Sequence, residues 1–108
     1  MKRGEVWWVD FDPGFGGEIR KTRPAVIVSN DLANKHLNRV QVVPLSSSTG
    51  KLYPSEALVV VGDTTSKAMA DQIMTADKQR CKAKLAELSV GDLKAVEKVI
   101  KIQLGLPL

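Results

Sequence analysis

Only one stretch of this chain repeats its apolar residues at helical spacing, and it lies at the C-terminal end. Leu93, Val96, Ile100 and Leu104 recur at intervals of three and four, with Lys94, Glu97, Lys98 and Lys101 on the other sides. Ser89 offers a cap, and Asp92, three residues on, suits the positive end of a helix. Everything before it reads as short strands cut by breaker residues. A single helix must then cover a strongly curved antiparallel sheet, which is a small α+β barrel.

The strands follow from alternation and punctuation. Glu5 to Asp12 alternates, with Val6, Trp8 and Asp10 on one face and Glu5, Trp7, Val9 and Phe11 on the other. Pro13-Gly14-Phe15-Gly16-Gly17 breaks it, and the loop runs on to Thr22, longer than the 2–5 residues of an ordinary hairpin and so a candidate for function. Arg23 to Ser29 is almost continuously apolar and therefore central, with Pro24 tolerated near its start. Asn30 to Leu37 holds a short helical turn capped by Asn30 or Asp31. Arg39 to Leu45 and Glu56 to Val61 are further strands, Gly62-Asp63 is a turn, Lys67 to Thr75 is a less regular strand, and Asp77 to Cys81 is one helical turn.

With 108 residues there is room for one domain, 1–108, which can bury a core without disulfide or metal staples. Cys81 is the only cysteine, and no apolar run is long enough for a signal peptide or a bilayer span. A cytoplasmic protein without membrane contact is expected. The net charge of +4 raises the prior for an anionic partner, and the cations are dispersed, so folding must assemble any anion site.

The absences narrow the chemistry. His36 is the only histidine, which rules out a two-histidine acid–base pair and a His-rich metal site, and no phosphate-binding P-loop is present. In Glu18-Ile19-Arg20-Lys21-Thr22-Arg23 a carboxylate and three cations crowd together beside flexible glycines, at the entry to a buried strand. A guanidinium there offers forked donors to a phosphate, although an arginine capping the sheet edge in an ion pair is the commoner arrangement. Ser46-Ser47-Ser48 follows the third strand, where the bland reading is a hydrophilic turn.

Together these segments resemble a family. Arg3-Gly4-Glu5-Val6-Trp7-Trp8-Val9-Asp10-Phe11-Asp12-Pro13, then Gly17-Glu18, then Arg23-Pro24-Ala25-Val26-Ile27-Val28-Ser29, are similar to the MazF/PemK toxins. So are Val42-Val43-Pro44-Leu45-Ser46, Asp71-Gln72-Ile73 and Asp77-Lys78-Gln79-Arg80, in order and over nearly the whole chain. The resemblance implies a MazF/PemK/CcdB-like fold, an SH3-like barrel with a C-terminal helix. It also implies a sequence-specific endoribonuclease (an mRNA interferase) that needs no metal or cofactor. Such a toxin acts on single-stranded RNA as a homodimer and is held in check by a cognate MazE-like antitoxin lying in the RNA groove.

The family's essential arginine falls on Arg23, and its essential hydroxyl, usually a threonine, on Ser46, with Ser47 the candidate if the match slips by one. Serine keeps the hydroxyl but loses the methyl that stiffens χ1, which predicts a less preorganised donor. The conserved loop acid falls on Glu18, and an acid used by some members on Asp71; Met69 stands where certain members have a second functional arginine. Phe15, Arg20, Lys21 and Gln72 complete the expected RNA contacts, while Trp7, Trp8 and Phe11 are expected in the core or a dimer contact.

The chemistry implied is attack of the 2′-OH on the adjacent phosphate, giving a 2′,3′-cyclic phosphate and a 5′-OH. Arg23 would hold the phosphoryl oxygens and Ser46 hydrogen-bond the same phosphate. Glu18 is an easier base than an arginine, which stays protonated, provided that partial burial tunes its carboxyl. A same-fold gyrase poison of the CcdB type and a silent RNA-binding module are the rival readings. The gyrase poison works through a C-terminal tryptophan, which this chain lacks.

Overall fold

In the computed structural model, which describes residues 1–108, the elements follow in the order β1 (Glu5–Asp10), β2 (Thr22–Ile27), α1 (Asp31–His36), β3 (Arg39–Ser46), β4 (Glu56–Val61), β5 (Thr64–Met69), β6 (Met74–Asp77), β7 (Cys81–Glu87) and α2 (Val90–Leu104). Short 3-10 turns, Ala70–Gln72 and Lys78–Arg80, join β5 to β6 and β6 to β7. Every pairing is antiparallel, in the order β4-β5-β3-β2-β1-β7, with β6 lying alongside the first half of β3. The sheet curls until its edge strands β4 and β7 approach each other, and α2 packs on β4. This is the expected curved α+β sheet with a C-terminal helix.

Both faces of the middle strands are buried, which is why β2 reads as a continuous apolar run. On one face Val6, Val26, Val43, Leu45, Val59, Val61 and Ala68 pack beneath Val96 of α2. On the other, Val9, Phe11, Ala25, Ile27, Val40, Val42, Ala76 and Cys81 form a second core, and Ile19 from the β1–β2 loop helps to cover it.

The helices start where the sequence says. The Asn30 side chain accepts from the Ala33 N–H at 2.8 Å, which selects Asn30 over Asp31 as the α1 cap. Ser89 caps α2 by accepting from the Asp92 N–H at 3.1 Å, and Asp92 in turn accepts from the Val60 N–H of edge strand β4 at 2.9 Å. Gly105 ends α2 at φ 68°, in the left-handed region that favours glycine.

Four details depart from the expected layout. The stripe of α2 packs inward through Leu93, Val96 and Ile100, joined by Val99, while Leu104 at the end of the helix is 54% exposed. The strand expected over 67–75 is two strands, β5 and β6, separated by the Ala70–Gln72 turn. Strand β7 was not expected: its Lys-Ala-Lys-Leu-Ala-Glu run has poor strand propensity, and pairing with β1 overrides that. Finally, β2 begins at Thr22, so Arg23 is its second residue.

Candidate nucleic-acid interface

Register decides which polar side chains meet. Arg23 pairs with Val9 across β1–β2, and Ser46 pairs with Lys67 across β3–β5. The β2–β3 register, Ala25 with Pro44 and Ile27 with Val42, continued by two residues sets Arg23 opposite Ser46. Paired residues share a face. Arg23, Ser46 and Lys67 therefore stand in one row across three strands, a span of about 10 Å at ordinary strand spacing.

Each member of the row is held. The Arg23 Nε donates to the Arg20 carbonyl at 2.9 Å, which fixes the fork while its terminal nitrogens make no bond within the chain. It forms no ion pair, so the edge-capping alternative does not apply. The Ser46 Oγ accepts from the Ser48 N–H at 3.2 Å, leaving its own proton to be donated outward. That turn supplies preorganisation which the missing threonine methyl would otherwise provide. Lys67, which sequence reasoning missed, is half-buried; its Nζ lies 3.4 Å from the Glu56 carboxylate and donates to the Lys51 carbonyl at 3.2 Å. A lysine at the middle of an alternating strand was the only available hint.

The β1–β2 loop lies beside this row and is pinned at several points. The Lys21 N–H donates to Asp12 at 2.8 Å, and Arg80 donates to the carbonyls of Asp10 and Asp12 at 3.0 and 2.7 Å. Gln72 clasps the middle of the loop, accepting from the Ile19 N–H at 3.2 Å and donating to the Gly17 carbonyl at 2.9 Å. Gly14 has no room for a side chain, since a Cβ there would stand 2.5 Å from the Ile19 carbonyl oxygen. Gln72, expected to touch RNA, is thus committed to the loop.

Glu18 is exposed, not partly buried as a tuned base would be, and its Oε1 accepts from the Phe15 N–H at 2.7 Å. Glu18 and Asp71 nevertheless line one cavity of about 250 Å³ with Pro13 and Gln72. Phe15 projects at the loop tip, 73% exposed, while Arg20 donates back to the Gly16 carbonyl at 3.3 Å and the Lys21 side chain is unpartnered. Phe11 is buried and Trp7 half-buried, as expected. Trp8 is 38% exposed, which removes the core from its two expected places, core or dimer contact. Together with Pro24, Leu45 and Leu85 it walls a cleft of about 390 Å³ that Arg23 and Ser47 also line. Ser47 is therefore near Arg23 but off the Ser46–Lys67 row.

Comparison with known proteins agrees with this frame. The profile of the family described as PemK-like, MazF-like toxin of type II toxin-antitoxin system matches residues 2–104. The chain is 36% identical over 115 aligned positions to the endoribonuclease MazF9 of Mycobacterium tuberculosis, covering 98% of each. It is also 36% identical to the endoribonuclease MazF of Staphylococcus saprophyticus, covering 98% of this chain and 92% of the relative. Among solved structures, MazF of Deinococcus radiodurans superposes with a TM-score of 0.87 at 27% identity, over 98% of this chain and 97% of that one. A mycobacterial endoribonuclease bound to its cognate antitoxin superposes at 0.84 with 28% identity, over 100% and 98%. Family profile, relatives and fold coincide: this chain belongs to the PemK-like, MazF-like toxins of type II toxin–antitoxin systems.

Proposed function

We propose that the protein is an endoribonuclease toxin that cuts single-stranded RNA at chosen sequences by 2′-OH attack, without a metal ion. The observation that carries this reading is the row of Arg23, Ser46 and Lys67 on one face, with the terminal nitrogens of Arg23 unpartnered. Arg23 holds the phosphoryl oxygens through its forked donors, and Ser46 donates to the same phosphate. Glu18, exposed in the free protein, takes the 2′-OH proton once bound RNA covers it, as the 2′-oxygen bonds to phosphorus. The bond from phosphorus to the 5′-oxygen breaks as Arg23 gives a proton to that oxygen, and proton exchange through water from Glu18 restores the guanidinium. A 2′,3′-cyclic phosphate and a 5′-OH result.

Phe15 stacks a base, while Ser47, Arg20, Lys21 and Asp71 contact the strand beside it. Gln72 acts by holding the loop that carries Glu18 and Phe15. The protein works in the cytoplasm as a homodimer, and a cognate antitoxin covers the same face; relatives of this fold are solved in complex with antitoxins. No helix is long and apolar enough to cross a membrane.

Long single-stranded RNA in excess EDTA tests the proposal. Wild type should cut at a few discrete sites, and Arg23→Ala and Ser46→Ala should each lose at least a hundredfold in rate, the scale of removing one transition-state donor. One 2′-deoxy sugar at the scissile position should abolish cutting. Intact RNA with wild type would overturn the reading, and cutting that survives both substitutions would displace the site.

A further inference from the structure

One cavity lies outside the row and the loop. It measures about 520 Å³ and is lined by Tyr53, Pro54, Glu56, Asp71, Ile102 and Gln103, among others. Its walls come from three parts of the chain. Ala57, Ala70 and Val99 pack together and bind the Ala70–Gln72 turn to α2, so that Asp71 and Gln103 line the same cavity. Tyr53 is 52% exposed, and its N–H donates to Glu56 at 2.9 Å, fixing the backbone that carries the ring.

The polar groups here have unequal commitments. Glu56 is spent on Lys67 and on the Tyr53 N–H. Asp71 and Gln103 make no side-chain hydrogen bond or ion pair within the chain, so both are available to an occupant. The Lys51 Nζ stands 4.9 Å from the Tyr53 ring centroid and that of Lys67 6.0 Å. Both ammonium groups thus lie over the ring, so a base that stacks on Tyr53 takes the place of the Lys51 ammonium, which then turns to a phosphate; stacked bases and cations on the backbone are how single-stranded nucleic acid is gripped.

The cavity also connects with the row. Asp71 lines both this space and the one containing Glu18, and Lys67 is at once the cross-strand partner of Ser46 and a neighbour of the Tyr53 ring.

We propose that Tyr53, Asp71 and Gln103 form a nucleobase subsite next to the cleavage site, which stacks one RNA base and reads its edge. This rests on the ribonuclease reading above. A carboxylate only accepts, so Asp71 selects a base edge with adjacent N–H donors. Guanine presents two, at N1 and at the exocyclic N2. Uracil presents one N–H between two carbonyls that the carboxylate repels. Gln103 both donates and accepts, and so completes the contact with the guanine carbonyl.

The test combines binding and cleavage. Affinity is read by fluorescence anisotropy with single-stranded RNA blocked by a 2′-deoxy sugar at the scissile position, and cleavage on unblocked RNA with all sites mapped. Tyr53→Ala should weaken binding and raise KM roughly tenfold or more, the scale of losing one stacked base. Tyr53→Phe should restore both. Asp71→Asn and Gln103→Ala should relax the preference at one position, so that sites with uracil in place of guanine are also cut.

Thermal melting checks that the variants are folded. A folded Tyr53→Ala protein with wild-type affinity and an unchanged site map overturns the subsite while cleavage by wild type still stands. Loss of antitoxin binding with unchanged RNA affinity also overturns it, assigning the cavity to the protein partner. A wild type that binds RNA through Tyr53 but never cuts it supports the subsite and sinks the ribonuclease reading. A wild type that neither binds nor cuts sinks both.

Discussion

Glu5 shows how one side chain at the start of the chain ties three segments together. Its Oε1 accepts from the Lys2 N–H at 2.9 Å and from the Trp7 indole N–H at 3.0 Å, and its Oε2 lies 3.2 Å from the Lys84 ammonium on β7. Burial works to raise its pKa, but those hydrogen bonds and the Lys84 charge outweigh it, bringing the carboxyl from 4.5 down to about 2. A carboxyl depressed on folding stabilises the folded state above its unfolded pKa. That stability is lost as pH falls from about 4.5 through about 2. Glu5→Gln should therefore cost on the order of 1–3 kcal/mol at pH 7, with a gap from wild type that closes between pH 4.5 and pH 2. Urea melts of both proteins across that range would show it, and a gap that stays constant down to pH 2.5 would refute it.

At the scale of elements, the β1–β2 loop decides whether Glu18 and Phe15 are positioned, and Gln72 is its only clasp to the β5–β6 connection. Gln72→Ala removes two hydrogen bonds, each worth about 1 kcal/mol net. Amide exchange at Ile19, whose N–H donates to Gln72, should speed up selectively, and RNA cutting should fall with it. Unchanged exchange at Ile19 would mean that the pins at Asp12 and Arg80 hold the loop alone. The loop itself was legible in the sequence, from Pro13 and its glycines, but the clasp was not, because it joins residues 53 positions apart. The same divide runs through the fold. Strands β1, β2, β3 and β4 announce themselves by alternation or by continuous apolar runs. Strand β7, whose exposed edge carries Lys82, Lys84 and Glu87, has no pattern of its own and exists because β1 offers it a ladder. Arg23, Ser46 and Glu18 could be singled out by type and resemblance. Lys67 and Tyr53 could not, since their relevance depends on the β3–β5 register and on a fold-back of the chain after Ser46.

For the whole molecule, a net charge of +4 would mean little if the cations were spread evenly. The fold gathers Arg23, Lys67 and Lys51 around one open region, beside a loop bearing Arg20 and Lys21, with Glu56 neutralised by Lys67. Of the other acids there, Asp71 makes no side-chain hydrogen bond or ion pair and is given work in base reading, while Glu18, held only by the Phe15 N–H, is given work in catalysis. Such a surface should engage roughly three to five phosphates, and each releases counterions when single-stranded RNA binds. A log–log plot of affinity for blocked RNA against salt should then fall with a slope of about −2 to −3.5. Two substitutions separate charge from stacking within that plot. Lys51→Ala should flatten the slope by about 0.7 and weaken every RNA sequence alike, because a phosphate contact carries no sequence information. Tyr53→Ala should lower affinity at every salt concentration and leave the slope unchanged, because a stacked base releases no ions. A slope near zero for wild type would mean that RNA is not held by this charged face, and the row and its neighbouring cavity would then have to serve a partner that is not a polyanion.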